Sequence, residues 1–319
     1  MKSEKNKTID LTVEEGKEYL DRCLREEDLN GGLQEEDPDC SLQDRIIIGD
    51  TFSVLPKLPP AFAKLLIVDP PYNLTKDYSG IAFRQMKESD YREFTRRWLS
   101  LCMPHLTDDA SVYVCCDWRS SMIIGPILEE HLTVRSRITW QREKGRGAAA
   151  NWKNGMEDIW FATVSDDYTF HVDDVRQRRQ VIAPYRENGK PKDWEETEKG
   201  RFRDTCPSNF WDDISIPYWS MAENTAHPAQ KPEKLMAKLI LASSSEGDLV
   251  LDPFAGSGTS AVTAAKLGRH FVGIERSEQY CVWAQKRLEM AESDGSIQGY
   301  SDGVFWERNT SRWQKQRKK

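Results

Sequence analysis

Two short stretches hold the residues best suited to chemistry: Asp69-Pro70-Pro71-Tyr72-Asn73 and Asp252-Pro253-Phe254-Ala255-Gly256-Ser257-Gly258-Thr259. In the first, consecutive prolines fix φ and remove two backbone donors. The Asp69 carboxylate, the carbonyls of Asp69 and Pro70 and the Asn73 side-chain oxygen are thereby offered as acceptors, and Tyr72 adds a flat face for stacking. A planar amino group on an aromatic ring has the matching donors. In the second, Gly256 and Gly258 stand between an apolar run and a helix-like segment. Glycines allow a tight turn and close approach of a ligand, and a helix N-terminus presents free N–H groups to an anion. The spacing is neither Gly-x-Gly-x-x-Gly nor that of a phosphate-binding P-loop. Glu275, where the next apolar run ends, is placed to accept from ribose hydroxyls. Together these features suit a nucleoside-containing ligand whose far end is a carboxylate. The plainer alternatives are a tight turn at the glycines and a helix-terminal charge at Glu275.

The positions of both stretches follow from the elements around them. Each trails an apolar run, Leu65-Leu66-Ile67-Val68 or Leu249-Val250-Leu251, and so sits where a buried strand ends. In an open α/β sheet, ligands bind outside the carboxyl ends of strands where strand order reverses. Further strands are expected at 45–48, 111–116, 134–140, 158–164 and 270–274, and helices at 90–105, 122–130, 232–242, 258–267 and 278–290. This alternation predicts an α/β fold with a doubly wound, mainly parallel sheet. Residues 1–43 read as an acidic arm outside the core, with a short helix over 13–26. Residues 44–165 and 222–292 read as two halves of one domain, 166–221 as an aromatic and charged insertion with its own small core, and 293–319 as a basic tail.

At 319 residues the chain is long enough for such a domain, and its net charge of -7 argues against indiscriminate nucleic-acid binding while leaving a local basic groove open. No apolar run reaches the roughly eighteen residues of a membrane span. The charged start does not read as a signal peptide. Seven scattered cysteines without CxxC spacing fit a reducing cytoplasm and predict no metal site.

The segment Asp69–Asn73 resembles the catalytic motif of amino-group DNA methyltransferases, and Asp252–Thr259 resembles their S-adenosylmethionine loop. His227-Pro228-Ala229-Gln230-Lys231-Pro232 is similar to the stretch preceding that loop in the β group, whose motif order this chain shares. The likeness covers roughly 44–292. It implies a Rossmann-like, S-adenosylmethionine-dependent fold with a seven-stranded sheet and a target-recognition insertion at 166–221. It further implies a site-specific DNA methyltransferase that flips its target base and serves as the modification enzyme of a restriction system. The Asp at the head of the motif resembles adenine-N6 enzymes; N4-cytosine methylation is the alternative, followed by RNA or protein-glutamine methylation and a catalytically dead binding module. The resemblance assigns catalysis to Asp69, Pro70, Pro71 and Tyr72. It assigns the cofactor to Asp252, Phe254, Ala255, Gly256, Ser257, Gly258 and Thr259, with Glu275 on the ribose, Asp50 on the adenine amine and Lys231 on the methionine carboxylate. The competing readings are a helix cap for Asp50 and a solvated lysine for Lys231. Double-stranded DNA is the implied partner, and a homodimer is compatible. A cognate endonuclease would share the target site without binding. The implied location is the bacterial cytoplasm, on the nucleoid.

Arg135, Arg137, Arg142, Lys144, Arg146 and Lys153 are opposed over that span by Glu143 alone, which suits phosphate contacts. Asn73, Arg142, Lys144, Arg146 and Lys153 are the expected DNA contacts. Trp140 and Trp152 are placed to wedge or stack, with core packing the plainer reading. Arg176, Arg178, Arg179, Arg201 and Arg203 of the insertion are candidates for reading guanine edges, with solvated charges the alternative.

Overall fold

The computed structural model describes residues 3, 5–31, 42–78, 81–142, 150–182, 185–197, 200–308 and 310. The first half of the chain runs α1 (Lys17–Leu20), β1 (Leu24–Arg25), β2 (Arg45–Ile48), α2 (Thr51–Val54) and β3 (Ala63–Val68). A hairpin follows, β4 (Lys76–Tyr78) with β5 (Ile81–Phe83), then α3 (Glu88–Cys102), β6 (Leu106–Cys116), α4 (Trp118–Leu128), β7 (Thr133–Gln141) and β8 (Met156–Thr163). The insertion supplies β9 (Gln177–Gln180), the short β10 (Arg186–Glu187) and β11 (Lys190–Pro191), β12 (Glu195–Thr197), β13 (Gly200–Thr205) and β14 (Phe210–Trp211). The chain closes with α5 (Glu233–Ser243), β15 (Leu249–Asp252), α6 (Thr259–Lys266), β16 (His270–Glu275), α7 (Glu278–Ser293), β17 (Tyr300–Ser301) and β18 (Val304–Trp306).

The main sheet has nine strands in the order β1-β2-β16-β15-β3-β6-β8-β7-β14. All pairs are parallel except β6 with β8 and β7 with β8. The expected seven strands are extended at the two edges by the two-residue strands β1 and β14. Strands buried on both faces read as continuous apolar runs, and Leu65, Leu66, Ile67 and Val68 are all fully buried. Alternate residues serve opposite layers. Leu65 and Ile67 pack with α5, α6 and α7, whereas Leu66 and Val68 pack with α3 and α4. From β3 the chain crosses to β6 on one side; from β15 it crosses to β16 on the other. The switch point therefore lies between β3 and β15, which pair parallel with Val250 opposite Leu65 and Leu251 opposite Leu66. Asp69 and Pro253, the residues that follow, leave the same edge side by side.

Two boundary expectations are corrected. The N-terminal segment is not an arm outside the core: Tyr19, Leu20 and Cys23 are buried, Trp283 donates to the Leu11 carbonyl at 2.9 Å, and β1 adds to the main sheet. The helix expected over 13–26 shrinks to α1, because Leu24 and Arg25 take strand pairing with Ile47 and Ile48 instead. Nor is all of 293–319 a tail. β18 runs parallel beside β9 in a second sheet of order β12-β13-β9-β18-β17, and Phe202, Val304 and Trp306 form a small core on it. Aromatic residues at 305 and 306 can fill the insertion's interior, which that segment alone leaves incomplete. Among the described residues no helix is long and apolar enough to cross a membrane.

Candidate active site

The β3 loop is held from three sides. Tyr91 of α3 donates its hydroxyl to the Pro71 carbonyl at 3.0 Å. The Asn73 side chain closes on the backbone of Met86, accepting from its N–H at 2.7 Å and donating to its carbonyl at 3.1 Å. Asn73 is thereby corrected from an offered acceptor and DNA contact to a loop fastener, both ends of its amide being used internally. Tyr72 directs its hydroxyl to Asp69 Oδ1 at 2.9 Å and lies 3.2 Å from Glu157 Oε2. Burial and then the two carboxylates raise the phenol well above its ordinary range, so the hydroxyl keeps its proton.

Lys231 is nearly buried, with its ammonium 2.6 Å from Asp69 Oδ2 and 3.4 Å from Glu157 Oε2, and 5.2 Å from the centre of the Tyr72 ring. Burial opposes its charge, but Asp69 and Glu157 outweigh that and hold it above the ordinary lysine range. Its observed partners are thus Asp69 of the catalytic loop and Glu157 of β8. Arg142 forms an ion pair with Glu157 at the cavity wall, its side chain about a third exposed. Glu157 is the residue that sequence reasoning missed. Its signal was a pair of adjacent acids, Glu157 and Asp158, opening an otherwise apolar strand.

The second loop turns on glycine. Gly256 and Gly258 have φ of +54° and +74°, in the left-handed region that favours glycine. The Gly256 N–H donates to Glu275 Oε2 at 2.9 Å and the Ser277 N–H to Oε1 at 2.8 Å. Burial raises the Glu275 carboxyl, against the lowering effect of these two donors. Asp252 accepts from the Phe254 N–H at 3.0 Å and from the Ser260 hydroxyl, and burial pushes its carboxyl up to about 7. Ser257 and Thr259 face Arg287, which donates to the Ser257 carbonyl at 2.8 Å and to the Thr259 hydroxyl at 3.0 Å.

One cavity of about 680 Å³ receives both loops, a size usual for small-molecule sites. Asp69, Pro70, Pro71, Tyr72 and Lys231 line it together with Asp50, Phe254 and Glu275. Behind these lining residues, Asp252, Ala255, Gly256, Ser257, Gly258 and Thr259 shape the loop that carries Phe254 into the cavity. Asp50 caps α2, accepting from the Phe52 N–H at 2.9 Å, and also faces the cavity. His227, beside Gly256, completes the wall with Tyr280, and its ring meets Tyr280 edge-on at 4.3 Å.

Beside this cavity, β7 and β8 form a hairpin. Lys153 is exposed on it and Trp152 is 93 % exposed, while Trp140 is buried and donates to the Ile214 carbonyl at 3.0 Å. Lys144 and Arg146 lie outside the described residues. Of the five arginines in the insertion, Arg176, Arg178 and Arg201 are ion-paired to Asp173, Asp204 and Glu196, and Arg179 approaches Glu307 at 3.9 Å. Arg203 is exposed.

A doubly wound sheet, a glycine-turned loop and a proline-stiffened acceptor loop meeting at its switch point define a nucleotide-cofactor enzyme acting on an amino group. The chain belongs to the N6/N4 DNA methylase family, whose model matches residues 63–286 under the description "DNA methylase". It is 33% identical over 251 residues to the type II methyltransferase M.HpaI of Haemophilus parainfluenzae, covering 78% of this chain and 75% of that one. It is 32% identical over 253 residues to the DNA adenine methyltransferase YhdJ of Escherichia coli strain K12, covering 77% and 83%. Among solved structures, the PvuII cytosine-N4-specific DNA methyltransferase superposes with a TM-score of 0.59 at 16% identity, over 76% of this chain and 85% of that one. A DNA modification methylase of Thermus thermophilus in complex with S-adenosyl-L-methionine superposes with a TM-score of 0.52 at 20% identity, over 82% and 97%. These two likenesses bear on the fold.

Proposed function

We propose that this DNA methylase transfers a methyl group from S-adenosylmethionine to the exocyclic N6 of an adenine flipped out of duplex DNA. The observation that carries the reading is that Asp69 and Tyr72 share one cavity with Phe254 and Glu275. The residues present fit the cofactor. Asp50 and Glu275 supply acceptors for its amine and hydroxyl groups, and Phe254 and Phe52 give an apolar wall. When bound, S-adenosylmethionine supplies an electrophilic methyl group.

An exocyclic amine is a poor nucleophile because its lone pair is delocalised into the ring. Hydrogen bonds from its two N–H groups to the Asp69 carboxylate and the Pro70 carbonyl favour a localised lone pair, a case of polar groups arranged in advance for charge that develops in the transition state. The rigid Pro70–Pro71 backbone holds those acceptors in place, and such positioning supplies much of a rate. Flipping a base out of a duplex costs a few kcal/mol; stacking on Tyr72 offsets about 1–3 kcal/mol of this by analogy with base–aromatic stacking elsewhere.

An Asp at the head of the motif and the adenine specificity in the name of the YhdJ relative favour adenine over cytosine. The same reading makes the protein the modification enzyme of a restriction system, with 166–221 reading the target sequence. Sequencing methylated positions in a host with and without this gene tests it. The expected outcome is N6-methyladenine in one short sequence context; an unchanged methylome contradicts the proposal.

A further inference from the structure

Four charged side chains meet beneath Tyr72: the carboxylates of Asp69 and Glu157 and the cations of Lys231 and Arg142. Glu157 sits at their centre. It pairs with Arg142 through one oxygen, while its other oxygen lies 3.4 Å from Lys231 Nζ and 3.2 Å from the Tyr72 hydroxyl. It is 4 % exposed and comes from β8, an element that neither sequence motif includes. A carboxylate buried at this depth is expensive unless paired and hydrogen-bonded, and two of its three partners, Lys231 and Tyr72, also engage Asp69.

We infer that Glu157 is a positioning residue for methyl transfer: together with Lys231 it sets the orientation and charge balance of Asp69 and Tyr72, and Lys231 therefore serves the catalytic loop and not the cofactor. The inference rests on the function proposed above. With Glu157 charged, the Lys231 ammonium is divided between two carboxylates, in a cavity whose wall also carries the cations of Arg142 and Lys76. Without that charge, Lys231 is left to Asp69 alone and competes with the substrate amine for its oxygens. The Tyr72 hydroxyl, whose one proton has Asp69 Oδ1 at 2.9 Å and Glu157 Oε2 at 3.2 Å to choose between, likewise loses the second carboxylate's charge. The loss falls on the acceptor geometry that the transition state uses, while Asp50, Phe254 and Glu275, the side chains proposed for the cofactor, are unchanged.

The test compares Glu157→Gln, Tyr72→Phe and the double variant in the full chain, measuring kcat, KM for duplex DNA and Kd for S-adenosylmethionine. The expected result is a kcat lowered about tenfold or more in E157Q, within the range seen when one polar group of a transition-state site is removed. KM and Kd stay within about threefold, and the double variant loses less than the product of the single losses, as coupled neighbours do. A kcat within about twofold of wild type, a cofactor Kd that rises as kcat falls, or strictly multiplicative losses would overturn it. If E157Q does not fold, Lys231→Gln is read the same way: a fall in kcat at unchanged cofactor Kd supports the inference, and a tenfold weaker cofactor overturns it. Methylation of a base other than adenine would refute the adenine reading but not this one, since the rates are compared on whichever base is methylated.

Discussion

A Cβ added to Gly258 would stand 2.6 Å from the Cβ of Ala284. The glycine loop is therefore fitted closely to α7, and Gly258 also needs φ of +74°. The Gly258→Ala variant should lose roughly 2–4 kcal/mol of stability, combining a left-handed alanine with overpacking against the helix. Denaturant midpoints measure this. An unchanged midpoint would show that α7 can withdraw at no cost.

The acid side of the stability curve should depend on His227. Burial, helped by Lys231 and Lys76 and opposed by Asp69, pushes its ring down to about 3 from an ordinary 6.5. Between those values the unfolded chain binds a proton that the folded chain does not, so stability present above about 6.5 is lost as pH falls towards 3. Asp252, pushed up to about 7, works in the opposite sense and favours the folded state towards lower pH. A titration by NMR should find the His227 ring neutral at pH 5, and His227→Asn should gain stability relative to wild type as pH falls from 6.5 to 4. A ring that titrates near 6.5 contradicts this.

Trp152 is 93 % exposed on the hairpin that carries Arg142 and Asn154 to the cavity, and Lys153 follows it. A large aromatic left in water beside a basic strand suits stacking on unpaired bases, worth about 1–3 kcal/mol. Trp152→Ala should weaken duplex binding by about tenfold or more on that scale, leave S-adenosylmethionine binding unchanged, and reduce the fluorescence rise of 2-aminopurine at the target position. Equal DNA affinity and an equal fluorescence rise would remove Trp152 from the interface.

The framework was legible because apolar runs such as Leu65–Val68 and Leu249–Leu251 are too short for helices and are followed by proline-containing turns, which favours doubly buried strands, and the residues after them are chemically unusual. Parallel pairing of those two strands then brought the loops together, as the site required. Partner choice was not legible. Lys231 was given to the cofactor by resemblance and Arg142 to phosphate by its charge, and neither reading shows the carboxylate that both approach; that carboxylate, Glu157, comes from a strand whose pairing with β6 and β7 is long-range. Ser257 and Thr259, given to the cofactor by resemblance, also carry a contact no motif shows: Arg287, from α7, donates to both. The edges of the fold were missed for a related reason: two-residue strands such as Leu24–Arg25 have no periodicity to read.

The central claim is that Asp69 and the loop it heads carry methyl transfer to adenine. Wild-type protein and the Asp69→Ala variant should be incubated with duplex DNA and S-adenosylmethionine, and the DNA digested to nucleosides for mass spectrometry. The account predicts N6-methyldeoxyadenosine from wild type, and none from a folded variant that still binds the cofactor. Methylated cytosine alone, no methylated base from wild type, or equal product from the variant would contradict it.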